Sequence, residues 1–131
     1  MAKSRTPRPT EAELEILAVL WDRGPSTVRD VHDVLSQSRD IGYTSVLKLM
    51  QIMAEKGLVA RDTSERSHVY RPRQQAEQTQ LQLVTDLLAR AFGGAADKLV
   101  MQVLRTKKVS AGELAEIRKL LDELDQTESR S

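Results

Sequence analysis

Apolar positions along the chain recur at helical spacing, then in two short alternating runs, then at helical spacing again. Thr10-Glu11-Ala12-Glu13 has the spacing of a capping box. After it Leu14, Leu17, Ala18 and Trp21 form one stripe, flanked by Ile16 and Leu20. Gly24-Pro25 predicts that this helix stops near Arg23. Ser26 is the expected N-cap of a shorter second helix with Val28, Val31 and Leu35 on its inner face. His32 on that helix, between charged neighbours, is expected to be an exposed surface histidine rather than a ligand. After the polar stretch Ser36 to Gly42, a third helix is predicted from Tyr43 or Thr44 to Lys56. Its inner face is Val46, Leu49, Met50 and Met53, and Gly57 is its left-handed stop. Leu58-Val59-Ala60-Arg61 and His68-Val69-Tyr70-Arg71 read as a hairpin around the polar residues 62–67, with Pro72 ending the second strand.

From Arg73 onward the pattern is helical without strands. Leu81, Val84, Leu87, Leu88 and Phe92 make one stripe, broken by Gly93-Gly94. Leu99, Val100, Val103 and Leu104 make a second. Ser110-Ala111-Gly112-Glu113 is another capping box, opening a helix with Leu114, Ile117, Leu120, Leu121 and Leu124. The fold class is therefore mainly α with a small β-hairpin. Three helices followed by a hairpin is the element order of a winged helix, in which the third helix lies in the DNA major groove. The expected domains are a flexible basic arm (1–9), a winged-helix DNA-binding domain (10–73), a helical dimerisation region (74–126) and a disordered tail (127–131). In the arm, Lys3, Arg5 and Arg8 carry charge and Pro7 and Pro9 forbid a helix.

Composition narrows the function classes. With 131 residues the chain is one domain, or one small domain with an appendage. At 40% apolar and 30% charged it is too apolar for a disordered tail and too broken for a membrane span. Aromatics reach only 3%, so the core must be Leu, Val, Ile, Met and Ala. Cysteine is absent, which excludes a disulfide framework, a thiolate metal site and a Cys nucleophile. His32 and His68 are too few for an all-imidazole zinc site, so no metal or other cofactor is expected. No Ser-His-Asp context, glycine-rich phosphate loop or His-Glu-x-x-His run points to an enzyme. The basic start has no apolar run behind it, so a signal peptide is not expected, and the expected location is the cytoplasm.

Charge changes the picture only locally. The total is 20 Lys+Arg against 19 Asp+Glu. Between Tyr43 and Arg73, however, six basic residues (Lys48, Lys56, Arg61, Arg66, Arg71, Arg73) face three acidic ones (Glu55, Asp62, Glu65). On charge alone an ordinary solvated helix and hairpin would account for so modest an excess. The third helix adds to it. Positions not needed for core there are Thr44, Ser45, Leu47, Lys48, Gln51, Ile52 and Glu55. Thr44, Ser45, Lys48 and Gln51 can reach base edges or phosphates. With Ile52, and with Arg61, Arg66 and Arg71 of the hairpin, they are the candidate DNA-binding residues.

The residues also resemble a known family. Thr10-Glu11-Ala12-Glu13-Leu14-Glu15-Ile16-Leu17, Val19-Leu20-Trp21-Asp22-Arg23-Gly24-Pro25, Thr27-Val28-Arg29-Asp30-Val31, Tyr43-Thr44-Ser45-Val46-Leu47 and Lys56-Gly57-Leu58-Val59 resemble the BlaI/MecI penicillinase repressor family. His68-Val69-Tyr70-Arg71-Pro72 is similar to that family's second wing strand, and Phe92-Gly93-Gly94 with Leu99-Val100 to its tail junction. The resemblance runs from Thr10 to about Leu124. It implies a homodimeric transcriptional repressor that binds a palindromic double-stranded operator through two winged helices. It also implies release when a membrane sensor metalloprotease triggers cleavage in the tail, with the matching bond at Gln102-Val103. The copper-sensing branch, which uses a cysteine cluster, is excluded here. Ile52 stands where many relatives carry Arg and Lys48 where they carry Thr, so the operator sequence does not carry over.

The tail supports the dimer on physical grounds as well. Leu81, Val84, Leu88, Leu99, Val103, Leu114, Ile117, Leu121 and Leu124 are too many to cover one another within three helices, and they form the expected dimer interface. Residues between Gly94 and Lys107 form a short helix between flexible junctions, which opens more cheaply than its neighbours. Two other readings stand beside this one: a repressor of the same fold released directly by a small molecule, and a winged helix used as a protein-interaction module.

Overall fold

Thr10 and Glu13 start the first helix by exchanging hydrogen bonds. The Thr10 amide donates to Glu13 Oε1 at 2.9 Å and the Glu13 amide to Thr10 Oγ1 at 3.2 Å. In this computed structural model, which describes residues 8–106 and 108–130, the elements follow as α1 (Glu11–Arg23), β1 (Ser26–Thr27), α2 (Val28–Leu35), α3 (Tyr43–Lys56), β2 (Val59–Asp62), β3 (Val69–Pro72), α4 (Ala76–Ala91), α5 (Ala96–Thr106) and α6 (Ala111–Arg130). The fold is mainly helical with a small antiparallel sheet. Of the basic arm, residues 1–7 lie outside the described residues.

The sheet has three strands where the pattern predicts two. β3 lies in the middle, with β1 and β2 on either side. Ser26 pairs with Tyr70 and Thr27 with Val69; Val59 pairs with Pro72 and Asp62 with Val69. Ser26 is therefore not the cap of α2. Its hydroxyl is buried and donates to the Gly24 carbonyl at 2.8 Å. Thr27 caps instead, because Asp30 stands three residues on and completes a second reciprocal box. Both hairpin strands also begin one residue later than expected. The Leu58 amide still donates to Met53, and the Gly57 amide to Ala54, so the chain at 57–58 belongs to the end of α3.

Ile16, Leu17 and Leu20 of α1 meet Val31 of α2, Val46, Met50 and Met53 of α3, and Val59 and Tyr70 of the sheet. Full burial of each such side chain contributes roughly 1.5–3 kcal/mol. The inner face of α1 is centred on Glu13, Ile16, Leu17 and Leu20, an i, i+3, i+4, i+7 set. Leu14 and Trp21 are thus half-buried and Ala18 exposed, contrary to the predicted stripe. His32 also differs from expectation. Its ring is half-buried, with Nε2 2.8 Å from the Ile41 carbonyl and the Tyr43 ring edge-on at 5.9 Å, so it closes the α2–α3 turn.

Two compact units divide between Val84 and Thr85, beyond the boundary expected at residue 73. The start of α4 docks within the first unit, which explains the shift. Trp21 Nε1 donates to the Gln74 carbonyl at 3.0 Å, and Thr79 is buried. In the second unit Gly93 and Gly94 take positive φ values of 57° and 84° and end α4. Ser110 and Glu113 form the expected capping box of α6. α6 continues to Arg130 through most of the segment expected to be a disordered tail. Nothing stops it earlier, since neither Gly nor Pro follows Gly112.

Candidate nucleic-acid interface

The rotation of α3 is set by Val46, Met50 and Met53, each 0% exposed. The opposite face must then carry Thr44, Lys48, Gln51 and Glu55, which follow one another at steps of three and four. All four are exposed, with Ser45 and Ile52 beside them. Leu47, expected on this open side, is half-buried against the core instead.

The ends of α3 are held from outside. At its C-terminus Gly57 adopts φ +84° and ψ +16°, the left-handed cap. Lys56 Nζ lies 2.7 Å from Glu13 Oε1, joining the last turn of α3 to the first turn of α1. Burial pushes the Glu13 carboxyl up, but hydrogen bonds from Lys56 and from Thr10 outweigh it and hold the group below its ordinary value. Lys56 is thereby committed to the fold and drops out of the cations available to a partner.

The hairpin brings its own cations to this face. Arg61 and Arg66 border a cleft of about 480 Å³ whose α3 wall includes Gln51 and Tyr43. Arg29, from the first turn of α2, and His68, just before β3, border the same cleft. Neither is singled out as a contact residue from sequence, because Arg29 lies outside the basic stretch from Tyr43 to Arg73 and His68 reads only as part of the second hairpin strand. The one signal for Arg29 is its place inside the Thr27-Asp30 cap spacing, in the first turn of α2. Arg71 is separated from this group. Tyr70 points to the core, so Arg71 alternates away from it and borders a different cleft, of about 660 Å³, with Trp21 and Gln74. Asp62 accepts from the Ser64 amide at 2.9 Å, and this bond, helped by Arg71, lowers its pKa.

In the tail, Leu81, Val84, Val103, Leu121 and Leu124 are exposed and Leu88, Leu99, Leu114 and Ile117 half-buried. Gln102 and Val103 are both exposed on α5, and their carbonyls accept from Thr106 Oγ1 at 3.0 and 3.4 Å. Among the described residues no group of His, Asp and Glu is placed to hold a metal, and no helix is long and apolar enough to cross a membrane.

The penicillinase repressor family model matches residues 9–123. The chain belongs to that family. Within it, the chain is 34% identical over 116 residues to the transcriptional regulator BlaI of Mycobacterium tuberculosis strain CDC 1551 / Oshkosh, covering 88% of this chain and 83% of the relative. The same values hold for BlaI of strain ATCC 25618 / H37Rv. The solution structure of the DNA-binding domain of the repressor BlaI matches with a TM-score of 0.50 at 22% identity, over 56% of this chain and 90% of that one. That likeness shows that this penicillinase repressor family member has the winged-helix fold.

Proposed function

We propose that the chain is a transcriptional repressor that binds a palindromic operator as a homodimer, with α3 of each protomer in the major groove. The observation that carries this reading is the exposed stripe Thr44, Lys48 and Gln51 beside a cleft bordered by Arg29, Arg61 and Arg66. Polar side chains for base edges thus stand next to cations for backbone phosphates, the two components of duplex recognition. Ser45 and Ile52 flank the stripe, and Ile52 supplies an apolar contact suited to a thymine methyl. Each half-site centre should lie at multiples of roughly 10 bp from the other.

The tail supports the dimer. None of residues 85–106 and 108–129 is fully buried in the single chain, and Leu121 and Leu124 are 56% and 57% exposed. A second copy covers such a surface. Repression ends, in this reading, when a membrane sensor metalloprotease in the same cell leads to a cut at Gln102-Val103. The cut lowers the effective concentration that ties two winged helices to one operator. The place of action is the cytoplasm.

Fluorescence anisotropy with duplexes from the chain's own promoter tests the binding step. Lys48→Ala should cost about 1–3 kcal/mol on the operator and less on unrelated duplex if the lysine reads a base. Binding to duplex that ignores salt would refute the electrostatic component outright. For the dimer, sedimentation at micromolar concentration should show two protomers for the natural chain and fewer for Leu121→Asp. A natural chain that stays monomeric would refute it. A full-length repressor that leaves the operator in the induced host with no fragment ending near Gln102 would refute the proteolytic step and favour a directly bound ligand.

A further inference from the structure

The cleft between α2, α3 and the hairpin gathers cationic groups from separate elements and includes no carboxylate in its lining. Arg29 enters from α2, Arg61 from β2 and Arg66 from the loop after it, while His68 stands just before β3. Thr27, Tyr43, Gln51, Ser67 and the buried Tyr70 border it as well. The nearby carboxylates are engaged elsewhere or lie outside the lining. Asp30 accepts from the Thr27 amide at 3.0 Å and pairs with Arg23 at 3.8 Å. Asp62 is held by the Ser64 amide. Glu55 borders a neighbouring hollow with Arg61, and Glu65 is exposed on the hairpin loop. A concave surface bordered by three arginines, with no carboxylate in its lining, suits an anion.

We propose that this cleft seats one phosphodiester of the operator backbone and that His68 meets it as the imidazolium, so that each wing takes up a proton on binding. This rests on the operator-binding reading above. A phosphodiester oxygen is an acceptor only. A neutral imidazole turns a lone pair from one of its nitrogens, whereas the imidazolium donates from both. The bound anion therefore favours the charged form, and histidine is the side chain whose ordinary titration falls between pH 5 and 8. The proton comes from solvent, one for each His68, and by linkage operator affinity rises as pH falls. The other histidine, His32, is already engaged by Ile41 in the α2–α3 turn and does not border the cleft.

The test measures the affinity of the full chain for a labelled operator duplex at fixed ionic strength, at pH 6 and pH 8. The natural chain should bind at least about fivefold more tightly at pH 6, the limit of the linkage being about tenfold per pH unit for each proton taken up. His68→Asn should reduce that ratio to less than about twofold, while His32→Gln keeps it. Arg29→Gln should weaken binding to every duplex alike and lower the salt slope by about one for each protomer. A natural chain with equal affinity at both pH values, or a His68→Asn chain that keeps the full ratio, overturns the proposal while operator binding stands. An Arg29→Gln chain with an unchanged salt slope removes the phosphate from this cleft. No binding to any duplex at either pH overturns the operator reading and this proposal with it.

Discussion

Replacing Glu13 by glutamine separates two roles that one side chain performs. Gln retains an oxygen that can accept from the Thr10 amide, so the capping box survives; the charge facing Lys56 is lost. Glu13 is 2% exposed, while the Lys56 side chain is 30% exposed, so water screens one end of the pair. A charge-assisted bond contributes about 1.5–3 kcal/mol when shielded, and the open end of this one brings the expected loss to about 1–2 kcal/mol. Glu13→Ala also removes the box and leaves Lys56 without its partner, for a total of about 2–4 kcal/mol. Thr10→Ala alone should cost about 1 kcal/mol. Trp21, the single tryptophan, lies in the same unit and reports its unfolding in urea. The pH dependence has a definite sign. The folded carboxyl is held below its ordinary value of 4.5, so the pair's contribution is fully present above about pH 4.5. It is lost as pH falls through the lower, folded value, so the gap between the natural and Glu13→Gln chains should close as the pH is taken below that value. Equal midpoints at neutral pH, or a gap that persists unchanged into acid, would refute the reasoning.

Trp21→Phe removes the indole donor to the Gln74 carbonyl and should cost about 0.5–1.5 kcal/mol by circular dichroism in urea. Its amide-exchange signature should be concentrated in the first turn of α4, with α3 little affected. Gly57→Ala meets no atom within 4 Å, so only the left-handed backbone opposes it. The expected loss is about 1–2 kcal/mol, read from the Trp21 midpoint, and an unchanged midpoint would show that the turn relaxes.

Long-period features were legible in the sequence because each is a local property. The inner faces of α2 and α3, the Thr10 and Ser110 capping boxes and the Gly93-Gly94 break all follow from residues a few positions apart. β1 was not legible, since two residues cannot display an alternation. Ser26 looked like a cap because serine often is one and Gly24-Pro25 precedes it; the deciding Asp30 spacing favoured Thr27. The face of α1 was misjudged by one step because a buried Glu13 belongs to it, and a charged residue does not register as core until its partner Lys56 is known. The exposed stripe of α3 could be read directly, as the complement of its buried set. The cleft could not, because Arg29, Gln51, Arg66 and His68 meet only through the register of β3 with both its neighbours. That same register separates Arg71 from the group.

The central strand of the sheet is also the last of the three in sequence, and this orders assembly. Ser26 and Thr27 have nothing to pair with until residues 69–72 have folded back on β2. The β2–β3 hairpin closes a short loop, whereas β1–β3 spans most of the unit, and contacts distant in sequence form late because their loop entropy must be met first. α2 can nucleate early on its own box, yet its start is anchored only when the hairpin is in place. The cleft that joins α2 to the hairpin is therefore expected to form late in folding. A chain emerging from the ribosome would present the α3 stripe before it possessed the cationic cleft beside it.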